Sequence, residues 1–366
     1  MGRSLPWCGS AHCCSRFMAD PTRRVGNSCR FAREHHPRAY RNPSRSIAKL
    51  RPPKFGDHGS CQSAKSIESR RRHCPQYAVR IVENRPEISP HLPSKGICLM
   101  SSHPPLAVIT GAGSGIGRAL ALEAGRAGYD LVLVGRRLSA LEETAAQITG
   151  VSVVVVDADI TRSEDRLRIC DAIGDGLDLL INNAGCLSVG RITDQQDHDI
   201  ARVMETNLIA PILLTRDLIP ALARRKGHIA NIGSMFGMIA FPYFTSYSAS
   251  KFALRGLSDA LRRELEEYSI TVSYIAPRAT RTPAQSQFDH LIAPFEMKLD
   301  SPEQVARKAW RGITKRRSTV YPGMAERIFA GLNALIPAVV DNALIKQSKR
   351  IPTHPLPYVP SENEKV

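Results

Sequence analysis

The chain has 366 residues, enough for one large domain or two ordinary ones, and its 50 Lys and Arg against 34 Asp and Glu give a net charge of +16. The excess is local: residues 1–99 hold 19 basic and six acidic residues, and the remainder holds 31 and 28. A body so close to neutral is not a basic nucleic-acid-binding domain, and nucleic acid is not expected as a partner.

Residues 1–99 carry apolar residues singly or in pairs, scattered prolines and an Arg70-Arg71-Arg72 run, with no sustained period of 2 or 3.6. Met1–Asp20 lacks the continuous apolar core of a secretory signal. Seven of the nine cysteines (Cys8, Cys13, Cys14, Cys29, Cys61, Cys74 and Cys98) fall here at irregular spacing, unlike a zinc ribbon, and no metal is expected. An organelle transit peptide, a basic tail making non-specific anionic contacts, and an extension from an upstream start codon all fit this composition. The last is the preferred expectation, because Met100 is followed by Ser-Ser-His-Pro-Pro and then a clean strand. Residues 1–99 are thus expected to be disordered or foreign to the native protein. The folded domain is expected over 100–322, a helical extension over 323–349 and a disordered polar tail over 350–366.

From residue 106 the pattern is regular. Leu106–Ile109 is a short buried-strand run, and a helix follows over Arg118–Ala127 with Gly128 as its C-cap. Leu131–Val134, Val153–Val156 and Leu177–Ile181 are the next strands, with helices over Ser139–Ile148 and Glu164–Ile173. A long helix is expected over Ile200–Arg224, with Pro211 kinking it or marking a shift in its path. Strands at His228–Ile232 and Thr271–Ile275 flank a helix from about Ser246 to Tyr268, and a helix near Pro302–Lys315 precedes a short strand at Thr319–Tyr321. Apolar strands alternating with helices predict an α/β fold: a Rossmann-like, doubly wound parallel sheet in a single domain.

Thr110-Gly111-Ala112-Gly113-Ser114-Gly115-Ile116-Gly117 lies between the first strand and its helix. Gly111 permits a tight turn, Gly115 lets backbone approach a pyrophosphate, and Gly117 lets helix pack closely on strand. The free N–H groups of the helix start favour phosphate. The second strand ends in Val134-Gly135-Arg136-Arg137, where an NAD site would place an acid. A guanidinium pair suits a 2′-phosphate instead, so NADP(H) is expected, with Arg136 as main contact and Arg137 in support.

Together with Asn182-Asn183-Ala184-Gly185, Asn207, Ser234 and Tyr247-Ser248-Ala249-Ser250-Lys251, this turn resembles the short-chain dehydrogenase/reductase family. The resemblance spans about residues 105–322. It implies Asn207, Ser234, Tyr247 and Lys251 as the catalytic set, with Tyr247 as proton donor or acceptor, Ser234 holding the same oxygen, and Asn207 ordering a relay water. It implies coenzyme contacts from Thr110, Gly111, Ser114, Gly115, Ile116, Gly117, Asp159, Asn183, Ala184, Gly185, Tyr247, Lys251, Pro277 and Thr282, with Asp159 meeting the adenine amino group. Residues four apart share a helix face, so the Lys251 ammonium, with an oxidised nicotinamide, is expected to lower the Tyr247 phenol from about 10. One departure stands out. Arg278 takes the place where the family has glycine, so either the backbone is strained there or Arg278 or Arg281 reaches an anionic part of substrate or coenzyme.

Ala284–Leu299 is expected to form a lid, and Met235, Phe236, Met238, Phe241, Tyr243 and Phe244 suggest an apolar substrate pocket. Ile328–Ile345 is apolar but broken by Pro337, which predicts two short helices that pack on the domain, join a dimer mate or contact a membrane peripherally. The leading expectation is a cytoplasmic, NADP(H)-dependent carbonyl reductase or reversible alcohol dehydrogenase acting on a small molecule as a homodimer or homotetramer. An NADP-binding regulatory or scaffold protein is the alternative, and epimerase or dehydratase chemistry is a third reading.

Overall fold

The computed structural model describes residues 79–83 and 103–352. Seven parallel strands form the sheet: β2 (Leu106–Thr110), β3 (Asp130–Gly135), β4 (Ser152–Asp157), β5 (Leu179–Asn182), β6 (His228–Ile232), β7 (Thr271–Ile275) and β8 (Thr319–Val320). An eighth, β1 (Val79–Glu83), adds to the β4 edge in antiparallel sense, Val79 opposite Val156. The order β1-β4-β3-β2-β5-β6-β7-β8 is doubly wound, with the direction of winding reversing between β2 and β5. Ligands of such sheets bind beyond the strand C-termini at that reversal. β1 is a departure from the reading of residues 1–99 as devoid of regular structure; the cysteine group and the Arg70–Arg72 run lie outside the described residues.

Alternate strand residues feed two apolar layers, because successive side chains point to opposite faces. Ile109, Leu133, Val155 and Ile181 meet the helices Gly115–Arg126 and Pro302–Thr314, where Trp310 closes the layer. Val108, Val132 and Leu180 meet Ser163–Ile173 and Ala210–Arg225 on the other face. The helix Pro302–Thr314 begins with a full capping box from Ser301 and Gln304.

The long helix expected over Ile200–Arg224 is two helices, Asp197–Met204 and Ala210–Arg225, joined by a π-helical turn over Glu205–Ile209. Pro211 sits in the first turn after it, where its missing N–H costs little, and the shift in path expected there falls in the π turn just before it. It also supplies no donor to the carbonyl four residues earlier, that of Asn207. The helix bearing Tyr247 runs Thr245–Glu264 and tightens into a 3₁₀ turn over Leu265–Tyr268. Pro337 separates Met324–Leu335 from Pro337–Ser348, two helices bent by 111°. Ile351, placed by sequence in a polar tail, is instead buried against Phe288 and Phe295.

Candidate active site

A cleft of about 830 Å³ opens over the ends of β2, β5, β6 and β7. Gly111, Ser114, Gly115 and Ile116 line one part of it; Ser234, Tyr247 and Lys251 line another. Gly111 and Gly115 adopt φ values of 65° and 53°, conformations that favour glycine. A Cβ on Gly117 would lie 2.1 Å from the Gly111 carbonyl oxygen and 2.4 Å from Asn183 Nδ2, so the helix can pack here only without a side chain. Gly117 itself is buried and does not line the cleft. The helix starting at Gly115 has Ser114 as N-cap with no side-chain capping bond, which leaves its first N–H groups directed at the cleft.

Thr110 is fully buried, which corrects its reading as a coenzyme contact. Its Oγ1 accepts from the Asn183 and Ala184 N–H groups, each at 3.0 Å, and Asn183 Nδ2 donates to the Thr110 carbonyl at 2.9 Å. Thr110 thus locks the segment after β5 to the glycine turn, while Asn183, Ala184 and Gly185 line the cleft. Arg136 lines the cleft and, with Arg137, Gly113 and Ser114, a side pocket of about 110 Å³. Asp159 stands 3.8 Å from Arg136 Nη1, and its other oxygen accepts from Thr161 N–H and Oγ1. It is absent from the cleft lining, so the adenine contact assigned to it is not supported. Pro277 and Thr282 do line the cleft; Thr282 Cγ2 lies 3.0 Å from where a Gly115 Cβ would stand.

Ser234 follows β6, and its Oγ accepts from the Phe236 N–H at 3.1 Å, which leaves its own proton to give. Lys251 lies one helical turn beyond Tyr247, but its Nζ donates to the Ile232 carbonyl at 3.0 Å and stands 5.7 Å from the Tyr247 ring centre. Burial lowers this ammonium to about 8. The phenol of Tyr247 goes the other way: burial pushes it up to about 12, against the lowering effect of a hydrogen bond with Ser234. The downward shift expected from Lys251 is therefore not found in the chain itself. Desolvation outweighs an ammonium that is turned toward a backbone carbonyl.

Asn207 is buried in the π turn, and its side chain makes three hydrogen bonds. Its Nδ2 donates to the Cys186 carbonyl at 2.8 Å and to Ser250 Oγ at 3.0 Å, and its Oδ1 accepts from the Cys186 N–H at 2.9 Å. The side chain positions the loop after β5 against the catalytic helix, and both N–H groups of its amide are taken by protein partners.

Several residues that matter carried no recognisable motif. Tyr274 of β7 is buried; its Oη accepts from the Ser234 N–H at 3.1 Å, donates to the Ser234 carbonyl at 3.0 Å and lies 3.3 Å from the Lys251 carbonyl. Gly233 and Gly237 make room for it, since a Cβ on either would fall 2.1 Å from the Tyr274 ring or hydroxyl. Beneath the site Asn182 Nδ2 donates to Asn231 Oδ1 at 2.9 Å, and Asn231 Nδ2 to Ser258 Oγ at 2.9 Å, tying β5, β6 and the catalytic helix together.

Arg278 has no positive φ, so the strain considered for it does not arise. Its guanidinium binds Asp300 Oδ2 at 2.9 Å and Glu326 Oε1 at 2.6 Å. It latches the loop after β7 to the helix Met324–Leu335, and the anion contact expected of it is taken by these two carboxylates. Arg281 is exposed and is not part of the cleft wall.

Phe236, Phe241, Phe244, Phe288 and Phe295 form the far wall, with ring centres 4.7 Å (Phe236–Phe244) to 5.9 Å (Phe244–Phe288) apart. The lid segment is folded over this wall as a 3₁₀ turn (Pro283–Gln287) and a short helix (Asp289–Ile292), with Phe288, Leu291 and Phe295 buried.

A glycine turn and a Tyr–Lys–Ser group thus share one cleft over a doubly wound sheet. The chain belongs to the short-chain dehydrogenase family, whose model, described as short chain dehydrogenase, matches residues 105–291. It is 40% identical over 181 residues to dehydrogenase/reductase SDR family member 7B of Mus musculus, a match covering 46% of this chain and 56% of that protein. The chain therefore spans little more than half the length of this relative. A putative oxidoreductase SadH of Mycobacterium tuberculosis is 32% identical over 237 residues, covering 60% of this chain and 86% of the relative. Among solved structures, a short-chain dehydrogenase from Sphingobium yanoikuyae in complex with NADPH superposes with a TM-score of 0.56 at 28% identity, covering 68% and 96% of the two chains. A 3-ketoacyl-(acyl-carrier-protein) reductase from Brucella melitensis complexed with NADH gives 0.55 at 27%, covering 60% and 94%.

Proposed function

We propose that this protein is an NADP(H)-dependent carbonyl reductase, reversible as an alcohol dehydrogenase, acting on a small and mostly apolar ketone or secondary alcohol. The observation that carries the reading is the placement of Ser234 and Tyr247 on the same cleft as the glycine turn, facing a wall of phenylalanines. The cradle fits a dinucleotide: two glycines with positive φ, an uncapped helix start and no acid at the end of β3. Arg136 and Arg137 beside the side pocket favour a 2′-phosphate, in keeping with the NADPH held by the Sphingobium relative.

The coenzyme would supply the hydride; the chain's own residues do the rest. A phenol at about 12 stays protonated at neutral pH, the form that gives a proton to a carbonyl oxygen during reduction. Ser234 donates to the same oxygen and fixes its position. Lys251, whose Nζ donates to the Ile232 carbonyl, would bind the sugar next to the nicotinamide. The phenylalanine wall and the folded lid exclude water from the reacting carbon. The test is NADPH oxidation with a panel of apolar ketones, alongside Arg136→Glu. The reading expects turnover with NADPH over NADH in the parent and a reversed preference in the variant; unchanged preference would remove Arg136 from the coenzyme site.

A further inference from the structure

The helices Met324–Leu335 and Pro337–Ser348 are apolar on two sides. Inward, Ala330, Val340 and Leu344 pack on Met235, Met238 and Tyr274, and Asn333 Nδ2 donates to the Met238 carbonyl at 3.1 Å. Outward, Met324, Ile328, Leu335, Ile336, Val339 and Ile345 are all more than half exposed, Leu335 at 82%. A helix that packs on a soluble domain ordinarily turns polar residues outward, and one that is apolar all round is normally covered. Three features say by what. The pair together has the length and hydropathy of a membrane-crossing segment, yet is bent by 111° at Ile336, so it cannot span as a rod and presents a corner. Residues 324–345 include only three charged side chains, and one of these, Glu326, is spent on Arg278. Cations then follow at once, Lys346 and Lys349, with Arg350 beside them paired to Glu296 at 2.8 Å, as at the boundary between acyl chains and an acidic headgroup layer. The helix is also continuous with the active site, for Ala325 and Phe329 are exposed and line the cleft, as do Met297 and Lys298 of the lid segment.

We propose that this bent helix pair docks the protein on an anionic phospholipid bilayer, its Leu335–Val339 corner inserted among the acyl chains, so that a lipophilic ketone or alcohol passes from the bilayer into the cleft past Phe329. The docking surface stands by itself; the passage of substrate rests on the proposed reductase activity.

The experiment uses the full chain with vesicles of phosphatidylcholine containing phosphatidylglycerol, compared with phosphatidylcholine alone. Leu335→Asp with Ile336→Asp is the test variant; both positions are exposed, so the fold is preserved, and the N-terminal basic residues are the same in parent and variant. The proposal expects co-sedimentation of the parent with the anionic vesicles, reduced about tenfold or more in the variant, since two large apolar side chains leave the bilayer. Hydrogen exchange of residues 330–345 should slow on vesicle addition in the parent only. Equal sedimentation of parent and variant, or unchanged exchange there, overturns the docking, as does a concentration-dependent dimer lost in the variant without vesicle binding. With docking established, the variant should lose activity toward a long-chain ketone dissolved in the vesicles and keep it toward a short water-soluble ketone. Loss of both, or of neither, overturns the passage of substrate. A parent inactive on both ketones with docking intact would contradict the reductase reading alone.

Discussion

Tyr274→Phe isolates one hydroxyl from a buried ring that otherwise stays in place. That hydroxyl accepts from the Ser234 N–H, donates to the Ser234 carbonyl and approaches the Lys251 carbonyl. The two carbonyls are not orphaned by its removal: Ser234 O still receives the Gly237 N–H at 3.0 Å, and Lys251 O lies within a helix. The Ser234 N–H is the group left without a partner, and an unsatisfied buried donor costs about 1–3 kcal/mol. We therefore expect chemical denaturation to show a loss near the middle of that range, about 2 kcal/mol, with an unchanged slope. The kinetic effect should be separable, because Ser234 is the residue released to move. Turnover with saturating NADPH should fall by about tenfold or more while coenzyme affinity holds, as for an interaction that counts mainly in the transition state. A stability loss with full turnover would show that Tyr274 only fills space; no loss in either would refute the hydrogen-bond reasoning.

Other expectations follow from the same geometry. Gly117→Ala should weaken both stability and coenzyme binding, because its Cβ meets the backbone oxygen of Gly111, whereas Gly128→Ala, open to solvent, should cost only its positive φ; equal effects at the two positions would contradict the packing argument. His228 is buried with its pKa lowered to about 4, chiefly by burial. The unfolded chain therefore binds the proton first, and stability present above about 6.5 should decline as pH falls toward 4, by about 3 kcal/mol in total from this group. A His228→Gln variant should show a correspondingly flatter pH profile in denaturation, and an unchanged profile would remove the assignment. Replacing Arg278 with leucine strips two partly buried carboxylates of their main partner, with only Lys308 near Asp300 at 3.9 Å. Faster hydrogen exchange in Met324–Leu335 is the expected readout.

The sheet was largely legible because its strands are short apolar runs bounded by turn residues; β6 and β7 begin and end where the pattern places them. The catalytic group was legible for a different reason, since spacing alone puts Tyr247 and Lys251 on one helix face. What the pattern could not supply was side-chain direction. Thr110 and Asn207 belong to motifs that frame the cleft, yet their polar atoms face other parts of the protein. Tyr274 reads as one more apolar strand residue until the register of β7 on β6 brings its hydroxyl beneath Ser234. The Arg278 latch depends on Asp300 and Glu326, 22 and 48 residues away, and no local pattern signals a pairing of that range. The upward shift of Tyr247 in the chain itself was not legible, because burial, which raises it, is a property of the folded surroundings rather than of its neighbour at four residues.

The account turns on hydride delivery to a carbonyl carbon beside Tyr247, and isotope transfer reads that event directly. With NADPH deuterated at C4 of the nicotinamide and an apolar ketone, the alcohol formed should carry deuterium at its carbinol carbon, and Tyr247→Phe should bind the coenzyme undiminished yet yield almost none. Coenzyme bound by both proteins with no label reaching any carbonyl tested, or equal labelling by both, would contradict it.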